Sequence, residues 1–294
     1  MNTKTVAVLS DTHSNAQATC AAFQHAGEAG ADAFWFLGDA VGRGPSPVQT
    51  LNCLRNIWLQ LEEEDRAAWL KGNHDAIVVG DLYATMIGDQ SLGPNNHAAT
   101  QTDFHNRDVL RNSQNGQTLL DFLRKLPSYA IPREGVFVAH AAYYFDTQGT
   151  VNETQALTHS VKTDKEVTHL FQNIFQYAHP RLVLNGHTHY AGLWQWDPEQ
   201  NVAVRLPTDQ TLTFEGLSKR PVYINPGSVG FPRGGTWPSY VLLTFSDDPD
   251  VLTVTFRRFV FDVQKVLNAL PHHYPSVFQD ELKRIARLFN HHEG

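Results

Sequence analysis

An apolar, β-branched run, Thr5-Val6-Ala7-Val8-Leu9, stops at Ser10 and Asp11. A short continuous apolar run of this kind reads as a strand buried on both faces. Ala33-Phe34-Trp35-Phe36-Leu37 repeats the pattern and stops at Gly38-Asp39. Residues 15–30, alanine-rich with polar positions between, suit a helix ending near Gly27 or Gly30. Strand, helix and strand in that order predict a parallel sheet. A second helix is expected over 47–61, with Pro47 in its first turn. Trp69-Leu70 leads into Gly72-Asn73-His74-Asp75, and Gly135-Val136-Phe137-Val138-Ala139-His140 and Arg181-Leu182-Val183-Leu184-Asn185 read as further strands. The polar stretch 80–128 predicts a helical or loop insertion over one sheet edge, and 143–178 a second insertion closing in a helix over 164–177. Beyond Gly186 the pattern changes. Residues 191–206, 221–225, 239–246 and 251–261 read as strands joined by turns, an antiparallel half stacked on the first. Val277, Leu282, Ile285, Leu288 and Phe289 give 275–291 helical spacing. The expectation is one α/β domain over 1–294.

Length and charge narrow this picture. A chain of 294 residues with 41% hydrophobic positions favours one large core. A net charge of -7 argues against long nucleic acid held by bulk charge. A small phosphate compound stays open, because metal ions supply positive charge locally. Cys20 and Cys53 are the two cysteines, so neither a disulfide framework nor a CxxC site is implied. The apolar run before Ser10 is too short for a signal-peptide core or a membrane span. A cytoplasmic location and no membrane partner are expected.

The chemistry sits where the apolar runs end. Asp11 and His13 follow the first, Asp39 the second, and Asn73 and His74 the third; His140 closes the fourth, and His187 and His189 follow the fifth. In open α/β sheets ligands bind beyond the carboxyl ends of strands, so these groups are expected to converge. Asp11/His13 and His187/His189 are i, i+2 pairs, which extended backbone would point to one side. Carboxylate, imidazole and amide without thiolate suit manganese, iron, zinc or nickel. Asp39 is the natural carboxylate to bridge two such ions. Taken singly, each residue has a plainer reading: Asp11 as a helix cap, Asn73 as a turn residue, His140 as a core histidine, His187 and His189 as exposed loop, Arg43 as surface charge.

The series Asp11-x-His13, Gly38-Asp39, Gly72-Asn73-His74-Asp75, His140 and Gly186-His187-x-His189 resembles the calcineurin-like metallophosphoesterase superfamily, with all five blocks in order. The resemblance implies a four-layer αββα sandwich of two mixed sheets. It implies a first metal held by Asp11, His13 and His189, a second held by Asn73, His140 and His187, and Asp39 between them. His74 would stay off the metals and protonate the leaving group, while a metal-bridging hydroxide attacks a small phosphate-ester substrate. Gly38-Asp39-Ala40-Val41-Gly42-Arg43-Gly44 is similar to the GDxVDRG block of protein serine/threonine phosphatases, which makes Arg43 a substrate-phosphate ligand. Gly42 departs from that block, which has there the aspartate that orients the catalytic histidine. Ile224-Asn225-Pro226-Gly227-Ser228-Val229-Gly230, with Pro232-Arg233, resembles the bacterial and archaeal branch of phosphodiesterases and diadenosine-tetraphosphatase-like proteins. A phosphodiester or nucleotide-type substrate is therefore expected. A protein-phosphatase-like phosphomonoesterase and a non-catalytic scaffold of the same fold are the alternatives.

Overall fold

The computed structural model describes residues 4–81, 94–233, 236–272 and 274–290. Two sheets carry the molecule. The first contains β1 (Lys4–Leu9), β2 (Ala33–Phe36), β8 (Leu212–Phe214), β10 (Ser239–Phe245) and β11 (Leu252–Arg258), in the order β2-β1-β10-β11-β8. The second contains β3 (Tyr129–Arg133), β4 (Val136–Ala139), β5 (Leu182–Asn185), β6 (Gly192–Asp197), β7 (Val202–Leu206) and β9 (Val222–Asn225), in the order β3-β4-β5-β9-β6-β7. Both sheets are mixed: β1 pairs parallel with β2 and antiparallel with β10, and β5 pairs parallel with β4 and β9.

Side-chain alternation explains the layers. On β1, Val6 and Val8 face the second sheet, packing with Val138, Leu184 and Ile224, whereas Ala7 and Leu9 face helices. Those helices are α1 (Ala16–Glu28), α2 (Pro47–Gln60), α3 (Asn73–Val79), α4 (Pro94–Arg111), α5 (Gly116–Lys125) and, late in the chain, α8 (Val263–Asn268) and α9 (Ser276–Asn290). α6 (Glu153–Thr158) and α7 (Asp164–Ile174) cover the outer face of the second sheet, where Val167, Leu170 and Phe171 pack on Phe137, Val183 and Trp196. The order is helix, sheet, sheet, helix, as the αββα expectation requires.

Several local expectations change. Segment 143–178 supplies an outer layer of the sandwich, because the buried stripe of α7 covers the second sheet. Within 80–128, residues 82–93 lie outside the described residues; α4 and α5 pack against α2 and α3. Trp69 forms only an isolated bridge to Phe36. The edge strand β3 carries Pro132, which an edge tolerates because no donor is required on its open side. β11 stops at Arg258, short of the expected 261. Among the described residues no helix is long and apolar enough to cross a membrane. Cys20 and Cys53 are both free.

Candidate metal centre

The loops after β1, β2 and β5 do not continue as extended chain. Asp11, His13, Ser14, Asp39, Arg43, His187 and His189 all have φ between 48° and 64°. Among the described non-glycine residues only Asn201 shares that left-handed conformation. The i, i+2 pairs thus reach the centre by sharp turns, which differs from the extended geometry expected of them. Each such residue costs about 1–2 kcal/mol, so surrounding structure must impose it. Asp11 N–H donates to the Gly38 carbonyl (3.0 Å), His13 N–H to Asp39 (2.9 Å) and Ser14 N–H to Ala40 (2.8 Å). The Asn225–Gly230 loop braces the same turns. The Ser228 hydroxyl donates to the Asp11 carbonyl (2.8 Å), and the Asn225 amide to the Gly186 carbonyl (2.6 Å) and the Thr188 hydroxyl (3.1 Å).

All seven expected ligands meet at one place. His13 Nδ1 donates to the Val41 carbonyl (3.1 Å) and His189 Nδ1 to the Phe231 carbonyl (2.6 Å). Those bonds fix the tautomers and leave both Nε2 atoms as acceptors. The two Nε2 atoms face each other at 2.9 Å. Burial depresses both rings, His13 to about 4 and His189 well below its ordinary value, so each is neutral near pH 7. Two lone pairs at this separation repel unless a cation lies between them. Asp11 Oδ1, buried without a hydrogen bond among the described residues, adds a third acceptor 3.4 Å from His189 Nε2 and 3.7 Å from His13 Nε2.

A second set lies beside the first. Asn73 Oδ1 is 3.1 Å from His140 Nε2 and 2.9 Å from His187 Nδ1. His140 Nδ1 donates to the Leu37 carbonyl (2.7 Å), which turns Nε2 inward. Asp39 Oδ2 stands between the sets, 3.6 Å from His13 Nε2 and 3.4 Å from His140 Nε2. Asp39 Oδ1 accepts from the His74 N–H (2.9 Å). Converging acceptors, one of them unpaired, with a carboxylate oxygen shared between two groups, fit two cations of the mixed N/O class.

Protons compete for this site. Burial would lower His140, but Asp39 outweighs it and raises the ring to about 9. Burial would raise Asp39, yet His140, His74 and His13 hold it well below the usual carboxylate range. A metal ion at His140 must displace that proton. Metal affinity of the metal-free protein is therefore expected to rise about tenfold per pH unit between pH 7 and 8, levelling as pH passes the folded value of His140. Calorimetric titration at several pH values measures this; a flat profile contradicts it.

His74 sits at the start of α3, where Asp75 Oδ2 accepts from the Gly72 N–H (3.0 Å) and Asp75 Oδ1 from the Val41 N–H (3.0 Å). His74 Nδ1 lies 2.9 Å from both oxygens of Asp103 on α4, a carboxylate with no exposure. The His74 and His13 rings lie nearly perpendicular, with centroids 4.9 Å apart. Burial lowers the His74 pKa, and Asp103 and Asp39 more than restore it, for a net rise. Asp103 was not among the residues expected from sequence. It occupies the space an aspartate at position 42 would need: a Cβ on Gly42 would lie 2.5 Å from Asp103 Oδ1 and 3.0 Å from His74 Nδ1. The carboxylate missing from the Gly42 position is thus supplied by a helix 29 residues away from His74 in sequence. Asn106, one turn later on α4, accepts from the Gly42 N–H (2.9 Å) and donates to the Gly44 carbonyl (3.1 Å).

Arg43 is buried at the rim, its N–H donating to the Thr102 hydroxyl (3.2 Å). Gly72 is the tightest contact with the shared carboxylate: a Cβ there would lie 2.1 Å from Asp39 Oδ1. Gly72→Ala should cost about 1–3 kcal/mol of stability as an overpacked site and push Asp39 off the centre, lowering metal content. Thermal unfolding beside metal analysis checks both; unchanged metal content contradicts the second.

A family model described as the calcineurin-like phosphoesterase superfamily domain matches residues 5–248. A metallophosphoesterase from Sphaerobacter thermophilus is 23% identical at a TM-score of 0.67, covering 97% of this chain and 99% of its own. A hypothetical protein from Pyrococcus horikoshii is 17% identical at a TM-score of 0.58, covering 96% of this chain and 97% of its own. At these identities the likeness establishes the fold. No curated protein matches the chain.

Proposed function

The chain belongs to the calcineurin-like phosphoesterase superfamily, and from that premise we propose that it is a metal-dependent hydrolase of small phosphate esters, acting on a phosphodiester or a nucleotide-type phosphoanhydride. Support comes first from the facing Nε2 atoms of His13 and His189, 2.9 Å apart, neutral and fixed as acceptors. Asp11, His13, His189 and Asp39 would hold one ion, and Asp39, Asn73, His140 and His187 the other. When bound, the ions supply positive charge toward phosphoryl oxygens and lower the pKa of water.

The remaining work belongs to side chains. His74, kept basic by Asp103 and Asp39 and with Nδ1 against Asp103, would deliver the proton of its other ring nitrogen to the leaving oxygen. Asp103 fixes the tautomer and the ring angle. Arg43, a guanidinium at the rim, pairs with phosphate oxygens. A phosphomonoesterase of the protein-phosphatase kind is the second reading, favoured by Asp103 restoring the carboxylate that Gly42 lacks.

A panel of bis(p-nitrophenyl) phosphate, p-nitrophenyl phosphate, a dinucleoside polyphosphate and a phosphopeptide, each with manganese, iron, zinc and nickel, tests the proposal. Turnover of diester or anhydride above monoester is expected. Faster turnover of the phosphopeptide reverses the order of the two readings, and no metal-dependent turnover of any substrate removes both. Asp103→Asn should retain its metals while hydrolysis falls about 10- to 100-fold, the usual scale for a histidine losing its orienting carboxylate. The fall should be larger for a poor alkoxide leaving group than for p-nitrophenolate, since only the former needs its proton from His74. Equal falls for both contradict the positioning role.

A further inference from the structure

The C-terminal segment reaches back over the rim of the centre. The Tyr274 hydroxyl donates to the Arg43 carbonyl. The Arg43 guanidinium carbon lies over the Phe278 ring of α9, 5.4 Å from its centroid. Six residues further along the same helix, Arg284 donates to the Pro232 carbonyl. The next residue, Arg233, donates its N–H to the carbonyl of the ligand His189 (3.4 Å). Arg43, Arg233 and Arg284 come from three separate segments, and Glu281 on α9 lies among them, within electrostatic reach of all three.

This group is incompletely satisfied. Arg43 Nε, Arg284 Nη1 and Glu281 Oε2 are buried without a hydrogen-bond partner among the described residues. The Arg43 residue is only 9% exposed. Unpaired buried donors on cations are unfavourable, and so is the mutual repulsion of Arg43 and Arg233, which Glu281, with Asp39 and Asp103 on the Arg43 side, offsets in part. An anion with several acceptor oxygens answers both, and guanidinium forks match phosphate geometry. The group adjoins His189 and so lies next to the place where the reacting phosphate would sit.

We propose that Arg43, Arg233 and Arg284 form a second phosphate subsite, walled by α9, which holds a phosphate of the substrate other than the one hydrolysed. The preferred substrate class is then an oligophosphate ester, with at least two linked phosphates. Glu281 sits within reach of all three guanidinium groups and offsets part of their mutual repulsion before substrate arrives. This subsite rests on the hydrolase reading for its purpose, though not for its binding.

Two measurements separate the claims. Metal-free wild-type protein titrated with inorganic tripolyphosphate should bind it. Arg284→Met and, independently, Arg233→Met should weaken that binding about 10- to 100-fold, the scale of a lost charge-assisted hydrogen bond. In the metal-loaded enzyme, Arg284→Met should raise KM for a dinucleoside polyphosphate at least tenfold more than KM for bis(p-nitrophenyl) phosphate, which has one phosphate. Arg284→Lys should recover part of the difference, which a merely loosened helix would not. Equal losses on both substrates, or tripolyphosphate binding unaffected by either methionine variant, overturn the subsite. Failure of the wild-type enzyme to hydrolyse any ester would instead defeat the hydrolase reading, leaving the tripolyphosphate titration to decide the subsite by itself.

Discussion

Asp39→Asn should leave the protein folded and nearly empty of metal, with hydrolysis at background. The side chain keeps its shape, and an amide oxygen still accepts from the His74 N–H. What disappears is the negative charge between the two ligand sets. One unit charge pair about 4 Å apart is worth about 4 kcal/mol at an effective dielectric of about 20, or about a thousandfold in binding, and Asp39 faces both sets at once. The same change frees His140, whose raised pKa owes most to Asp39 after burial is overcome. Metal analysis after dialysis and a diesterase assay check this together. Retention of two ions would show that Asp39 does not join the sets.

His74→Ala separates chemistry from coordination. Its Nδ1 is committed to Asp103 and its N–H to Asp39, so the ring is held beside the ligand sets by bonds of its own. Removing a general acid costs about 10²–10⁴-fold in rate, and metal content should hardly change. A group of His13, Asp39 and His74 is compact enough to hold an ion, so the experiment has a genuine opposite result. Metal lost in proportion to activity would make His74 a ligand.

The strand ends were legible because two signals coincide there: an apolar run that must be buried, then polar groups that a buried loop would not otherwise carry. Fold order followed from the same runs. The turns were not legible. Spacing of i and i+2 is compatible with extended chain and with two left-handed residues, and only the bonds from Asp11, His13 and Ser14 to the 38–40 loop decide it. Asp103 was hidden for another reason. It lies on a polar helix, and its role exists only once α4 is laid across the 42–44 loop. One signal pointed to it: Gly42 leaves His74 needing a carboxylate from elsewhere. For α7, Val167, Leu170, Phe171 and Ile174 already show the i, i+3, i+4, i+7 stripe of a buried face, which marks 143–178 as a layer.

Two-metal hydrolysis here depends on two ions sharing Asp39. Crystals soaked in manganese and measured for anomalous scattering test it most directly. Two peaks about 3.5–4 Å apart are expected, one bounded by Asp11, His13 and His189, the other by Asn73, His140 and His187, with an Asp39 oxygen touching both. A lone peak, or a pair on other side chains, would mean that these acidic and imidazole groups converge for some purpose other than two-metal hydrolysis.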